Sequence, residues 1–108
     1  MSNSARIALE KNLSSSLHAR IMQLRLQLQT TKNNSMSMIE YIMKLKSFSD
    51  SLTAIGEPVS EQDQIMNLLE GLGADYNAVV ASINVRDNQF SIEVVHSLLL
   101  SFEHHLES

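Results

Sequence analysis

Cysteine is absent from the 108 residues, which excludes disulfides and thiolate metal ligands and leaves the redox compartment unread. Aromatics make up only 5%, and one proline with three glycines is too few for the closely spaced turns of a β architecture. No apolar run approaches the roughly 18 residues of a membrane span. The opening MSNSARIALEK lacks the apolar stretch of a secretory signal, so a soluble, cytoplasmic chain is expected. What is present is aliphatic bulk: Leu, Ile and Met supply most of a 44% apolar content. That composition points to packed helices, and the length to one domain.

The formal charge of −4 is unevenly spread. Residues 1–50 carry seven bases against three acids, and the remainder carries Arg86 alone against nine acids. Such polarity favours contact between the basic half of one copy and the acidic half of another. The plainer reading is charge spread over solvated helix faces. An acidic chain without a basic tail or interleaved aromatics is a poor candidate for direct nucleic-acid binding.

The clearest helical signal runs from Met38 to Ile55. Met38, Tyr41, Ile42, Leu45, Phe48, Leu52 and Ile55 recur at steps of three and four, one face of a helix. Ser37 and Glu40 have the spacing of a reciprocal capping box, and Met36 with Tyr41 that of a hydrophobic staple. Gly56 ends the segment and Pro58 cannot extend it.

Before it, Ile7, Leu9 and Leu13 predict a short helix or arm over residues 1–16, broken by Ser14-Ser15-Ser16, with the helical domain over 17–108. Leu17 to Thr31 reads as a helix with Leu17, Ile21, Leu24 and Leu28 on one stripe and Met22 and Leu26 on a second. A helix apolar on two sides is either central or carries an interface. Lys32 to Ser35 is a connector short enough to make the flanking helices antiparallel neighbours.

After Pro58, Ser60 caps a helix with Glu61 and Asp63 in its first turn, where acids suit the helix dipole. Ile65, Leu68, Leu69 and Leu72 form its stripe, and Met66 lies off it. Asp75 is placed to cap a shorter helix bearing Tyr76, Val79, Val80 and Ile83. Val85 to Gln89 reads as a loop. Ser91 caps a last helix, with Phe90 and Val95 stapling it; Val95, Leu98, Leu99, Phe102 and Leu106 face inward and Leu100 outward. The predicted fold is all-α, about five helices packed around Tyr41, Leu45, Phe48 and Leu52 with Leu24, Leu28, Leu69, Val79, Leu98 and Phe102.

Candidate chemistry is thin. His104 and His105 are adjacent and diverge by about 100° on a helix, His96 lies two turns from His104, and zinc needs three or four convergent ligands. Most serines sit at helix starts, and no G-x-S-x-G elbow occurs. Gly71-Leu72-Gly73 lacks the Lys-Ser/Thr of a phosphate loop and the third glycine of a dinucleotide turn. Acids at helix starts are structural more often than catalytic. Nothing assembles a nucleophile, base and oxyanion hole. The residues therefore predict no enzyme, no cofactor and no metal.

The strings ARIMQLRLQLQTTK (Ala19–Lys32), SMSMIEYIMKLKSFSDSLTAIGEPVSEQD (Ser35–Asp63), LLEGLGADYNAVV (Leu68–Val80) and EVVHSLLLSFEHHLE (Glu93–Glu107) resemble the Gag polyprotein of Ty1/copia-type LTR retrotransposons, especially plant ones. GEPVSE, GLGADYN and HSLLLSFE stand in the family's order and spacing. Arg6 falls where such Gags often carry tryptophan. Asn33-Asn34 replaces a frequent Lys-Gly, Glu70 a small or amide residue, and His105 an arginine, all expected at surfaces or loops. A remoter similarity is to the capsid C-terminal domain of retroviral Gag and the related lobe of neuronal Arc. Tyr41 matches the aromatic of that domain's major homology region and Lys44 its basic residue; the region's glutamine, glycine and glutamate do not appear at the ungapped positions.

The resemblance implies a structural role: Gag copies assemble into an intracellular, virus-like shell through modest contacts with one another and with other Gag segments. RNA would be gripped only by zinc-knuckle regions that are not in this sequence, and no membrane is involved. A helix over Ser60–Leu72 would pair with its copy through Asp63, Met66, Asn67 and Glu70; the alternative is a Met66 partly covered by the neighbouring loop. Met22 and Leu26, with Ile39 and Met43, form a second candidate surface. The rival expectation is a helical adaptor or regulator whose apolar second face receives a host protein's helix.

Overall fold

The computed structural model describes residues 2–83 and 90–107, with side chains from residue 13 onward. The sequence expectation for Val85–Gln89 lies outside the described residues, as do the side chains of Ile7 and Leu9. Among the described residues the chain is all-helical: α1 (Ser2–Thr30), α2 (Met38–Ala54), α3 (Glu61–Glu70), a 3-10 turn (Ala74–Tyr76), α4 (Asn77–Ser82) and α5 (Ile92–Glu107).

Helix α2 is the hub, packing against α1, α3 and α5. Its start is set by Ser37, whose hydroxyl accepts from the Glu40 amide at 3.3 Å. The carboxylate that caps this end is Glu103 of α5, on a different amide from the Ser37 N–H that the capping-box spacing assigns to Glu40. Its Oε2 takes the Met38 amide at 2.6 Å, a tertiary cap with the charge that a helix N-terminus favours. The other end closes as a Schellman turn: Gly56 has φ +85°, its amide donates to Thr53 O, and Glu57 N donates to Leu52 O. Along the inward face Met38, Tyr41, Ile42, Leu45 and Leu52 are buried.

Around this hub the core takes Ile21, Leu24 and Leu28 from α1, Ile65, Leu68 and Leu69 from α3, Tyr76, Val79 and Ile83, and Val95 and Leu99 from α5. Phe48, Leu98 and Phe102 are half-buried against it. Two expectations for α5 are corrected: Leu106 is exposed, and Leu100 is half-buried. Leu106 lies in the last two turns, past the element that would cover it, whereas α2 runs beside Leu100.

Helix α1 is the largest departure. It is continuous over 29 residues, so Ser14-Ser15-Ser16 does not break it. Serine costs a helix interior only a few tenths of a kcal/mol against a good former, while restarting a helix repeats the nucleation cost. At about 1.5 Å per residue α1 is about 43 Å long, the longest element of a molecule measuring 69 × 30 × 17 Å. Its inward stripe outruns the body: Ile21, Leu24 and Leu28 are covered, but Leu17 and Leu13, on the same stripe, are exposed.

Two connectors also differ from expectation. Asn33 is buried, not a surface residue: its amide donates to Gly71 O at 2.9 Å, its carbonyl accepts from Met36 N, and its side-chain amide meets the Tyr76 hydroxyl. Asp75 caps nothing; the turn starts at Gly73 without a side-chain cap, and α4 continues directly from it.

Candidate interface surfaces

Three exposed apolar surfaces are candidates. The first is the outer edge of α3. Ser60 accepts from Asp63 N at 3.1 Å and fixes the helix start, which turns Ile65, Leu68 and Leu69 inward and leaves Met66 outward, 42% exposed. Asp63, Met66, Asn67 and Glu70 line one shallow groove of about 480 Å³. Its far wall is Arg25 and Gln29 of α1, and its end is the Glu57-Pro58-Val59 segment. Arg25 donates to Glu57 Oε2 at 2.7 Å across this groove, an exposed pair that contributes less than about 1 kcal/mol. The loop after α2 thus forms part of the groove, and Met66 beside it is partly covered.

The second is the outer strip of α1, where Met22 and Leu26 are 59% and 61% exposed. Gln29 continues that strip by one turn and also lines the α3 groove. The two surfaces are therefore contiguous.

The third lies between α2 and α5. Ile39 and Met43, exposed on α2, face Ile92, His96 and Leu100 across a cleft of about 430 Å³ floored by Leu28, Ile42, Leu45 and Leu68. The structure thus separates a pairing made from the sequence: Ile39 and Met43 line this cleft, and Met22 and Leu26 do not. Its rim mixes charges, with Lys46 bonded to Asp50 at 3.3 Å and Glu93 opposite. Burial holds His96 below its ordinary pKa against the raising effect of Glu93, and Lys46 adds to the lowering.

No group of three or more His, Asp or Glu side chains able to hold a metal ion occurs among the described residues. The His105 ring lies tilted at 39° to that of Phe102, centroids 6.3 Å apart. Among those residues no helix is long and apolar enough to cross a membrane. The buried polar chemistry serves packing. Tyr41 donates to Leu68 O at 2.7 Å, and burial raises its hydroxyl pKa to about 12. The Asn33–Tyr76 contact and the Glu103 cap on Met38 had no local signal in sequence, because each joins separate segments.

Among the described residues the chain is an all-helical domain with exposed apolar side chains along α1, α2 and α3. The chain belongs to the gag-polypeptide family of LTR copia-type elements, whose family model matches residues 2–108. A similar curated protein is the retrovirus-related Pol polyprotein from transposon RE1 of Arabidopsis thaliana, 27% identical over 86 residues, or 80% of this chain. The matched region is 6% of that polyprotein's length. No solved structure matches the chain.

Proposed function

We propose that this chain is a structural Gag assembly module that self-associates, without catalysis, as a building unit of an intracellular particle. The observation that carries this reading is the contiguous exposed surface formed by Met22, Leu26 and Met66, on a chain of the copia-type gag family. Exposed methionine and leucine inside a polar rim suit an adaptable contact of modest size. Each contact would bury about 1,200 Å² or less in total, weak alone and cumulative in a shell. Asp63, Asn67 and Glu70 form the polar margin around Met66. The partners are further copies and other Gag segments, with RNA held by regions outside this chain. Substituting Met66→Asp places a charge in that contact; light scattering is expected to show a lower mass than for the unsubstituted chain. An unchanged assembly would remove this surface from the account.

A second reading rests on the cleft between α2 and α5. Its apolar floor and the exposed Ile39 and Met43 are what an amphipathic helix of a host protein would occupy in an adaptor. A stable monomer that binds such a helical peptide, with loss on Met43→Asp, would favour it.

A further inference from the structure

Helix α1 carries an apolar ridge beyond the body that covers the rest of its stripe. Residues 13–20 are all exposed, and Leu13 and Leu17 stand on the row that Ile21, Leu24 and Leu28 continue into the core. In sequence Leu9 precedes Leu13 by the same helical step, so the row from Leu9 to Leu17 covers about 12 Å of helix. Leucine repeated along one row is apolar surface that gains free energy from any wall laid against it.

The cleft between α2 and α5 has the complementary form. Ile39 and Met43 make one open wall and Ile92 and Leu100 the other, over a floor of Ile42, Leu45 and Leu68. Ile92 to Leu100 runs about 12 Å along α5, and Ile39 to Asp50 about 16 Å along α2, two to three helical turns. A helix laid there buries one apolar row between two walls. No chain can seat its own ridge in its own cleft. Leu28 of α1 already lies in the floor, and about 16 Å of continuous helix holds Leu17 away from it. Two ridges paired with each other would bury less, since each row would meet one row instead of two walls, and both clefts would stay uncovered.

We propose, given the self-association inferred above, that the Leu13–Leu17 ridge of one copy seats in the α2–α5 cleft of a second copy. The contact joins unlike surfaces, so it either reciprocates within a pair or passes on to a third copy. It uses neither Met66 nor the Met22–Leu26 strip, and leaves both free for the contact already described.

Sedimentation velocity on full chains carrying Met66→Asp, which weakens that other contact, tests this up to millimolar concentration. The Met66→Asp chain is expected to keep a concentration-dependent association. Adding Leu13→Asp with Leu17→Asp blocks the ridge, and adding Ile39→Asp with Met43→Asp blocks the cleft. Each is expected to weaken association by about tenfold or more, because a carboxylate would be buried against apolar walls. All four positions are exposed, and circular dichroism checks that each variant folds. An equimolar mixture of the ridge-blocked and cleft-blocked chains is expected to form a heterodimer, since one intact cleft then meets one intact ridge. A mixture that stays monomeric, or a cleft variant that associates as before, would overturn the proposal; the latter would point to ridge-on-ridge pairing. A Met66→Asp chain that is monomeric throughout would also overturn it. If the unsubstituted chain associates while these tests fail, the assembly reading stands; if it never associates, both fall.

Discussion

The hydroxyl of Tyr41 occupies the space that a side chain at Gly71 would need. A Cβ there would also lie 2.5 Å from Thr31 O, a backbone atom that cannot swing aside. The glycine is demanded by this close approach and not by its φ of −86°, which any residue adopts. Through it, α2 locks the end of α3, since Tyr41 donates to Leu68 O while Gly71 O accepts from Asn33 N. Gly71→Ala is expected to destabilise the fold by about 1–3 kcal/mol, the range for overpacking a filled site. Chemical denaturation measures it; a neutral change would mean that the helices part easily here.

Tyr41→Phe tests the same joint from the other side. Loss of the buried bond to Leu68 O is expected to cost about 1–3 kcal/mol. The variant should also alter the alkaline limb of stability. Because the folded hydroxyl has a pKa of about 12 against an ordinary 10, its contribution is full below pH 10 and lost as pH rises from 10 towards 12. In the phenylalanine variant that portion of the decline should vanish.

Glu103 is expected to matter more than its surface position on the last helix implies. Its carboxylate caps α2 at the Met38 amide, a charge-assisted bond at a helix N-terminus. Glu103→Ala should lower stability by about 1–2 kcal/mol and Ser37→Ala by about 1 kcal/mol. A double variant that is merely additive would show that the two caps act on separate amides, as the geometry has them.

Asn34 has φ +38°, the left-handed region that an L side chain enters at a cost. Asn34→Gly is expected to raise stability by about 0.5 kcal/mol, read as a shift in the denaturation midpoint. A loss of stability would mean that the Asn34 side chain supports the turn.

His96 should give the chain a mildly acidic sensitivity. Burial lowers its folded pKa below 6.5, with Lys46, Asp50 and Glu93 around the same cleft. The folded protein therefore holds this proton less tightly than the unfolded chain. The contribution is full above pH 6.5 and falls as pH drops through 6.5 towards the lower folded value. His96→Gln should flatten this part of the profile, compared by urea titration at about pH 7.5 and about pH 5.5. An unchanged slope would assign the effect to other groups.

What the sequence disclosed divides by range. The Ser37 and Ser60 caps, the Gly56 terminus and the inward face of α2 depend on residues within a turn or two of one another, and periodicity exposes them. The Glu103 cap, the buried Asn33 and the Tyr41–Gly71 approach join segments far apart in the chain, and no local pattern marks them. At α1 the local rule misled: serines favour caps, yet three in a row remain helical between strong formers. The Met22–Leu26 strip and Met66 were each readable as off-stripe residues. Their adjacency was not, because it depends on how α1 and α3 pack.

The most direct measurement is sedimentation of the unsubstituted chain from micromolar to millimolar concentration. The account predicts a mass that rises with concentration to at least a dimer. A single monomeric species across that whole range would contradict it.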